Sequence, residues 1–310
     1  MMNDETMKME EGAAAVRSPA PRKIKSMEAN AASRIKKIVS YFILTLFLLW
    51  ILVPFYIIII TSFKSTPEAN SADFTWWPTQ GFDFSGYDLV FQEPIAGAYT
   101  DIITGFLNTL WIIIPPTVIG LFTSALAAYA FAKLKFRGKN ILFGILIGTM
   151  MVPGIVTLVP SYTIYDSIGW VNTPLLLMIP GMFGAAACVF YLRQFFMGIP
   201  TETLEAARLD GVGYVGMFFK MMVPLSVPAL IAQGVLGFVG GYNDYFAPLL
   251  YLNTPPLQTL QIALNTFVSM YNANWPAIMA GVIVALLPTI IIYLVAQRYF
   301  IEGIASSGLK

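Results

Sequence analysis

Glu202, Glu205, Arg208 and Asp210 fall close together in a chain where only 11% of residues are charged. Carboxylates and a guanidinium at helical spacing do the chemistry of recognition: ion pairs and charge-assisted hydrogen bonds to a partner surface. The surrounding residues suit that task. Pro200-Thr201 reads as a helix start, with the acids in the first turns where the macrodipole favours them. Ala206 and Ala207 are small, Asp210-Gly211 reads as a turn or C-cap, and a second short helix is expected from Tyr214 to Val223, closed by Pro224. Two short helices at an angle would then face the aqueous phase. Bond-making chemistry has little support. The chain has no His, which removes every imidazole-based triad and metal site. Gly138-Lys139-Asn140 lacks the loop and hydroxyl of a phosphate-binding P-loop, so no nucleotide-hydrolysing site is recognisable.

The elements that must position this segment are membrane spans. The 310 residues are 57% hydrophobic, and a soluble domain would carry about 25% charged residues. A span needs about 20 apolar residues. Six fit, expected at 38–60, 107–131, 141–161, 175–196, 225–250 and 277–297. The expected fold is therefore an all-α integral membrane protein.

Orientation follows from the basic residues. Lys64 is the lone basic residue on one side of these spans. The other seventeen fall in the tail before the first span, in the second connection (Lys133 to Lys139), in the fourth (Arg193, Arg208, Lys220) and at the C-terminus. Both termini and residues 201–224 are thus expected in the cytoplasm. The opposite side carries Glu68, Asp73, Asp83, Asp88, Glu93, Asp101 and Asp166. The net charge of +1 hides this polarity and implies no nucleic-acid partner. Residues 1–35 read as a polar, disordered cytoplasmic tail, followed by a membrane domain over 36–310 with its core bundle at about 103–298. The first span is too long, and follows too long a polar tail, to be a cleaved signal peptide. Cys188 is the only cysteine, which excludes an intrachain disulfide.

Glu205-Ala206-Ala207, Gly211 four residues on, and Met221-Met222-Val223-Pro224 resemble the EAA loop of ATP-binding-cassette (ABC) importer permeases. The usual ending, Ile-x-Leu-Pro, is conservatively changed here. Further pieces resemble the carbohydrate-uptake permeases of the maltose-transporter type, second membrane subunit. They are Ser62-Phe63-Lys64, Asn108-Thr109-Leu110, the run from Ala128 to Lys133, Met151-Val152-Pro153, Asn172-Thr173-Pro174, the run from Phe190 to Phe196, and Ala296 to Phe300. The resemblance covers roughly 35–310. It implies a type I permease fold with coupling helices at about 201–224 that dock on a cytoplasmic ATPase. The coupling residues would be Glu205, Ala206, Ala207, Asp210, Gly211 and Pro224. It also implies a heterodimer with a related permease, two ATPase subunits and an extracytoplasmic solute-binding protein, in the plasma membrane of a prokaryote. ATP and magnesium would sit on the partner ATPase, with no cofactor in this chain. The cargo would be a sugar or oligosaccharide. A permease for a glycerol phosphodiester or modified polysaccharide is the near alternative, and an ion-driven sugar carrier or a non-transport assembly are the distant ones.

Asp244 is the one acid inside an expected span, within Tyr242-Asn243-Asp244-Tyr245. Intramembrane carboxylates usually face a bundle interior or a wet cavity. These four residues are the candidate substrate pathway, with tyrosine rings against sugar faces and the Asn and Asp bonding hydroxyls. The competing reading is that Asp244 lies near the outer interface or makes a structural hydrogen bond to a neighbouring helix. Pro54, Pro115, Pro116, Pro153, Pro180, Pro228, Pro248 and Pro288 lie in or near spans, where they serve as hinges or as kinks in ordinary packing. The long connection 64–101 is either a docking surface for the binding protein or a cap over the bundle.

Overall fold

The computed structural model describes residues 22–92 and 99–307, with side-chain surroundings for 34, 36–92 and 99–298. Residues up to Ile57 and residues from Ile58 onward form two separate compact units. Among the described residues the chain is helical, without strands. Helix α1 (Arg22–Thr61) starts inside the stretch expected to be a disordered tail; residues 1–21 lie outside the described residues.

Two short helices follow, α2 (Thr66–Ala69) and α3 (Ser85–Val90). Then comes α4 (Ile102–Lys133), which at 32 residues is the spine of the second unit. Asp101 caps it by accepting from the Thr104 N–H at 2.8 Å. Helices α5 (Lys139–Thr149) and α6 (Gly154–Ser167) meet at 94°. The span expected over 141–161 is thus a bent pair of helices. Helix α5 closes with a turn through Met150 and Met151, and Pro153 opens α6 in a new direction because it has no N–H to continue the ladder.

The fourth span is also interrupted, between α7 (Leu175–Met182) and α8 (Ala186–Met197). The groups freed by the break find partners on α4. Thr123 donates its hydroxyl to the Met182 carbonyl at 2.9 Å, and Ser124 Oγ accepts from the Ala185 N–H at 3.1 Å. Freed backbone groups in a bilayer must be satisfied in this way by neighbouring helices. After α9 (Thr201–Leu209) comes α10 (Tyr214–Leu225), which contains a π turn over Phe218–Met222. Helix α11 (Val227–Tyr242) leaves α10 at 79°. The expected span 225–250 is thus shorter than it read: α11 ends at Tyr242, a turn follows, and α12 (Phe246–Tyr251) begins separately. Helices α13 (Leu260–Met270) and α14 (Trp275–Ser307) complete the chain.

By length and composition, four helical stretches can each cross a bilayer, and the two bent pairs bring the number to six if each is one span. Two apolar clusters sit at opposite ends of α4. One joins Ile112 and Ile113 to Met178, Tyr242, Leu260 and Phe267. The other joins Ala128 and Tyr129 to Leu192, Phe196, Leu204 and Phe218. The outward faces of the spans carry large exposed apolar side chains such as Ile141, Val159 and Leu236. Lipid and neighbouring spans, not water, are the solvent such faces require.

Candidate functional site

At the end of the bundle holding the second cluster, α9 and α10 form a corner. The N–H of Val212 reaches the Ala207 carbonyl at 3.0 Å and that of Gly211 reaches the Arg208 carbonyl at 3.1 Å. This is the Schellman pattern, with Gly211 at its left-handed position (φ 81°). The corner is fastened to α4. Tyr129 donates its hydroxyl to the Tyr214 carbonyl at 3.2 Å, and Lys133 Nζ donates to the Ile199 carbonyl at 2.6 Å. Arg193 holds the same end, donating through Nε to the Phe131 carbonyl at 3.2 Å while its guanidinium lies over the Phe143 ring at 4.0 Å.

Helix α9 has two unlike faces. Leu204 and Ala207 pack inward. Ala207 retains only 9% exposure, so it is not available to a partner's surface as expected: its methyl fills the space beneath the corner. Glu205, Ala206, Asp210 and Gly211 face outward, as does Pro224 at the end of α10. Leu209 stands 89% exposed among them. Its significance was not read from the sequence, because a single Leu before Asp-Gly carries no pattern. Arg208 lies over the Tyr214 ring at 5.7 Å, bridging the two helices.

At the other end of α11, the four expected pathway residues divide. Tyr242 is buried at 1% exposure, stacked on Phe238, and donates its hydroxyl to the Ala285 carbonyl at 2.8 Å. It is a packing residue, and its expectation as a sugar platform is corrected: the ring is enclosed by α14 and its own helix. Asn243 donates back to the Val239 carbonyl at 2.9 Å. Asp244 Oδ1 accepts from the N–H groups of Phe246 and Ala247 at 3.1 and 3.3 Å, capping α12. Asp244 also lines a cavity of about 260 Å³ whose walls come from α4, α7 and α11. Asp244 thus holds the start of α12 through local bonds and also lines this cavity. Tyr245 lies on the exposed side of the turn.

Two asparagines hold the segment that leads to Thr259. Asn108 donates to the carbonyls of Pro256 and Gln258 at 2.8 and 2.9 Å. Asn172, at φ 60°, accepts through Oδ1 from the N–H groups of Asn253 and Thr254 at 3.0 and 2.9 Å. Thr109 accepts the Leu260 N–H at 2.8 Å. These bonds fix the segment 252–259, which holds a single 3₁₀ turn at Pro255–Leu257 and whose last residue, Thr259, lines the cavity with Asp244. Among the described residues no cluster of acidic or sulfur side chains could hold a metal ion.

The connection 64–92 is folded. Ser65 caps α2, and the Glu68 carboxylate accepts from Thr75 Oγ1 and the Thr79 N–H at 2.8 and 2.9 Å. The backbone N–H of Thr79, helped by the Thr75 and Gln80 donors and opposed by desolvation, holds the Glu68 carboxyl below its ordinary range. Lys64, the lone basic residue of this side, is buried, donates to the Thr75 carbonyl, and sits over the Phe74 ring at 4.7 Å. Asn70 reaches the Ala273 carbonyl at 2.6 Å, tying the cap to the loop before α14.

A multi-pass helical bundle with interrupted spans, a cavity between them and a fastened helical corner at one end is the architecture of an importer permease. Over residues 117–305 the chain matches the family described as binding-protein-dependent transport system inner membrane component, and it belongs to that family. It is 32% identical to an arabinooligosaccharides transport system permease protein, AraQ, of Halalkalibacterium halodurans, over 82% of this chain and 89% of that one. It is 31% identical to the inner membrane ABC transporter permease protein YcjP of Escherichia coli K12, over 86% of this chain and 94% of that one. Its fold is similar to a chain in the crystal structure of a bacterial ABC transporter involved in the import of the acidic polysaccharide alginate. That match has a TM-score of 0.72 and 25% identity, covering 87% of this chain and 98% of the other.

Proposed function

We propose that this chain is the membrane permease subunit of an ABC importer that carries a sugar or oligosaccharide into a prokaryotic cell. In this reading it pairs with a related permease and sits in the plasma membrane with both termini cytoplasmic. Cargo arrives from an extracytoplasmic binding protein. Two ATPase subunits bind and hydrolyse ATP with magnesium, and α9 with α10 couples that hydrolysis to the bundle. The observation that carries the reading is the outward face of α9. An apolar side chain left 89% exposed at Leu209, beside Ala206 and the Glu205 and Asp210 carboxylates, has the makeup of a docking anchor inside a polar rim. The hydrogen bonds from Tyr129 and Lys133 give a push on that face a rigid route to α4.

The test is Leu209→Asp in the whole complex. The variant should insert and pair with the second permease, yet lose most of the co-purifying ATPase subunit and ATP-driven uptake. Stoichiometric ATPase subunit and wild-type uptake in that variant would overturn the coupling assignment.

A further inference from the structure

Four cations, Lys133, Lys135, Arg137 and Lys139, fall within seven residues where α4 passes into α5, and no acid occurs between Asp101 and Asp166. Packing brings a fifth: Arg193 of α8 lies over the Phe143 ring of α5 at 4.0 Å. Three of the five are spent on backbone. Lys133 Nζ donates to the Ile199 carbonyl, Arg193 Nε to the Phe131 carbonyl, and Lys139 Nζ to the Leu134 carbonyl at 3.0 Å. Carbonyl oxygens satisfy these donors without cancelling their charge. Glu202 lies near enough to act on the charge of Lys133. Lys135 and Arg137 stand exposed.

A hollow of about 430 Å³ opens at this loop. Lys135, Lys139 and Asn140 line it, and no acid does. Ile141 lines it too and begins an apolar strip. Ile141, Gly144, Ile145 and Gly148 recur at i, i+3, i+4 and i+7, so they share one face of α5. The two isoleucines are 71% and 60% exposed, and a Cβ built on either glycine would meet nothing within 4 Å. The strip runs about 10 Å along the helix, two-thirds of the ~15 Å of hydrocarbon in one leaflet. The loop joins two spans, α4 and the bent pair that α5 opens, so it stands at a membrane surface whichever way the chain is oriented. A ligand that fits the whole feature has a negative, hydrogen-bonding head and an apolar tail beside it. An anionic phospholipid has both, and basic pockets beside membrane helices hold such headgroups. A zwitterionic lipid brings an ammonium group, for which the hollow has no acid.

We propose that the α4–α5 loop seats one anionic phospholipid, its phosphate in the hollow among Lys135, Arg137, Lys139 and Asn140 and one acyl chain along the Ile141–Gly148 strip. The site needs only the membrane fold and is independent of cargo and of ATPase docking.

The test uses the whole complex in nanodiscs of equal parts phosphatidylglycerol and phosphatidylcholine. A benzophenone amino acid replaces Ile145 in the strip or, as reference, Leu236, which is 58% exposed on α11. After irradiation, mass spectrometry counts the two lipids joined at each position. Position 145 should capture phosphatidylglycerol over phosphatidylcholine by about tenfold or more, since each nearby cation favours an anionic lipid several-fold. Position 236 should capture the two about equally. Lys135→Gln combined with Arg137→Gln should bring position 145 down to the reference ratio. Lys220→Gln, which removes an exposed cation outside the hollow, should leave the ratio at 145 unchanged. Equal ratios at 145 and 236 in the otherwise unaltered chain overturn the proposal even if no charge variant assembles. Capture of protein in place of lipid at 145 overturns it as well. An equal fall in Lys220→Gln would assign the preference to diffuse charge and overturn the site. Inorganic phosphate at matched ionic strength separates the two sources of a phosphate group. A preference that survives it belongs to the lipid, and one that it abolishes belongs to a free-phosphate site and overturns the lipid assignment.

Discussion

Gly181 of α7 lies flat against Pro116 of α4: a Cβ built on the glycine would come within 2.7 Å of the proline's own Cβ. Real Cβ atoms do not approach that closely, and a Cβ on Gly120 would run into the Gly181 carbonyl in turn. Small residues at such crossings let membrane helices pack on backbone surface. Gly181→Ala and Gly120→Ala should each destabilise the bundle by about 1–3 kcal/mol, the usual cost of overpacking. Gly144→Ala, where nothing lies within 4 Å, should be neutral or slightly stabilising. Thermal unfolding of the detergent-purified complex checks all three, and an unchanged midpoint for Gly181→Ala would refute the close-packing argument.

At Gly211 the constraint is backbone conformation alone. The residue has φ 81° and no atom within 4 Å of a built Cβ, so bulk is harmless and handedness is everything. A β-branched residue pays most there, roughly 1–2 kcal/mol or more, while Asn tolerates the left-handed region. Gly211→Val should therefore lower coupled ATPase activity and uptake, with membrane insertion retained. Gly211→Asn should stay near wild type. Equal activity of the two variants would show that the corner is not under backbone strain.

Acid should loosen the cap over 64–92 through Glu68. Its pKa is lowered on folding by the Thr79 N–H and neighbouring donors. The contribution is therefore full above the ordinary value of 4.5 and is lost as pH falls through the lowered folded value. Protection factors of the segment, corrected for the intrinsic pH dependence of amide exchange, should fall in wild type as pH drops below the ordinary value of 4.5. Glu68→Gln should exchange faster at neutral pH and lose that pH dependence. A variant that still shows the acid step would assign it to another group.

Topology can be read by labelling. Single cysteines at Ser85 and Asn272, both exposed, should react with an impermeant maleimide from outside the cell. One at exposed Arg137 should react only after permeabilisation. Outside reaction at position 137 would reverse the orientation and remove the cytoplasmic docking of α9.

Composition and charge made most spans legible. The expected 107–131 and 277–297 lie inside α4 and α14 because long uninterrupted apolar runs leave a helix no alternative in lipid. Direction was not legible. The apolar run 141–161 contains a 94° turn, since hydropathy records what a residue is and not where its helix points. Pro153-Gly154 was the only local mark. In the candidate site, Glu205 and Ala206 could be read as outward, but Ala207 could not be told from Ala206 without the direction of its Cβ. Tyr242 and Asp244 are two residues apart and equally suggestive in sequence. Only α14, far along the chain, makes the first a core residue and leaves the second facing the cavity. Thr259 gave no signal, because nothing in the sequence marks a hydroxyl that is buried without a hydrogen-bond partner.

The 79° junction between α10 and α11 closes on Ser226, which is wholly buried and donates its hydroxyl to the Met222 carbonyl at 2.5 Å. With Ser226 buried and its hydroxyl tied back, the corner cannot straighten without breaking that bond, so it works as a bell crank. At about 1.5 Å per residue the arms are about 18 Å for α10 and about 24 Å for α11. A shift of about 1 Å at Tyr214 then swings the far end of α11 by about 1.3 Å at a right angle. That far end carries Asp244. The crank ties the width of the cavity beside Asp244 to where the corner of α9 and α10 stands.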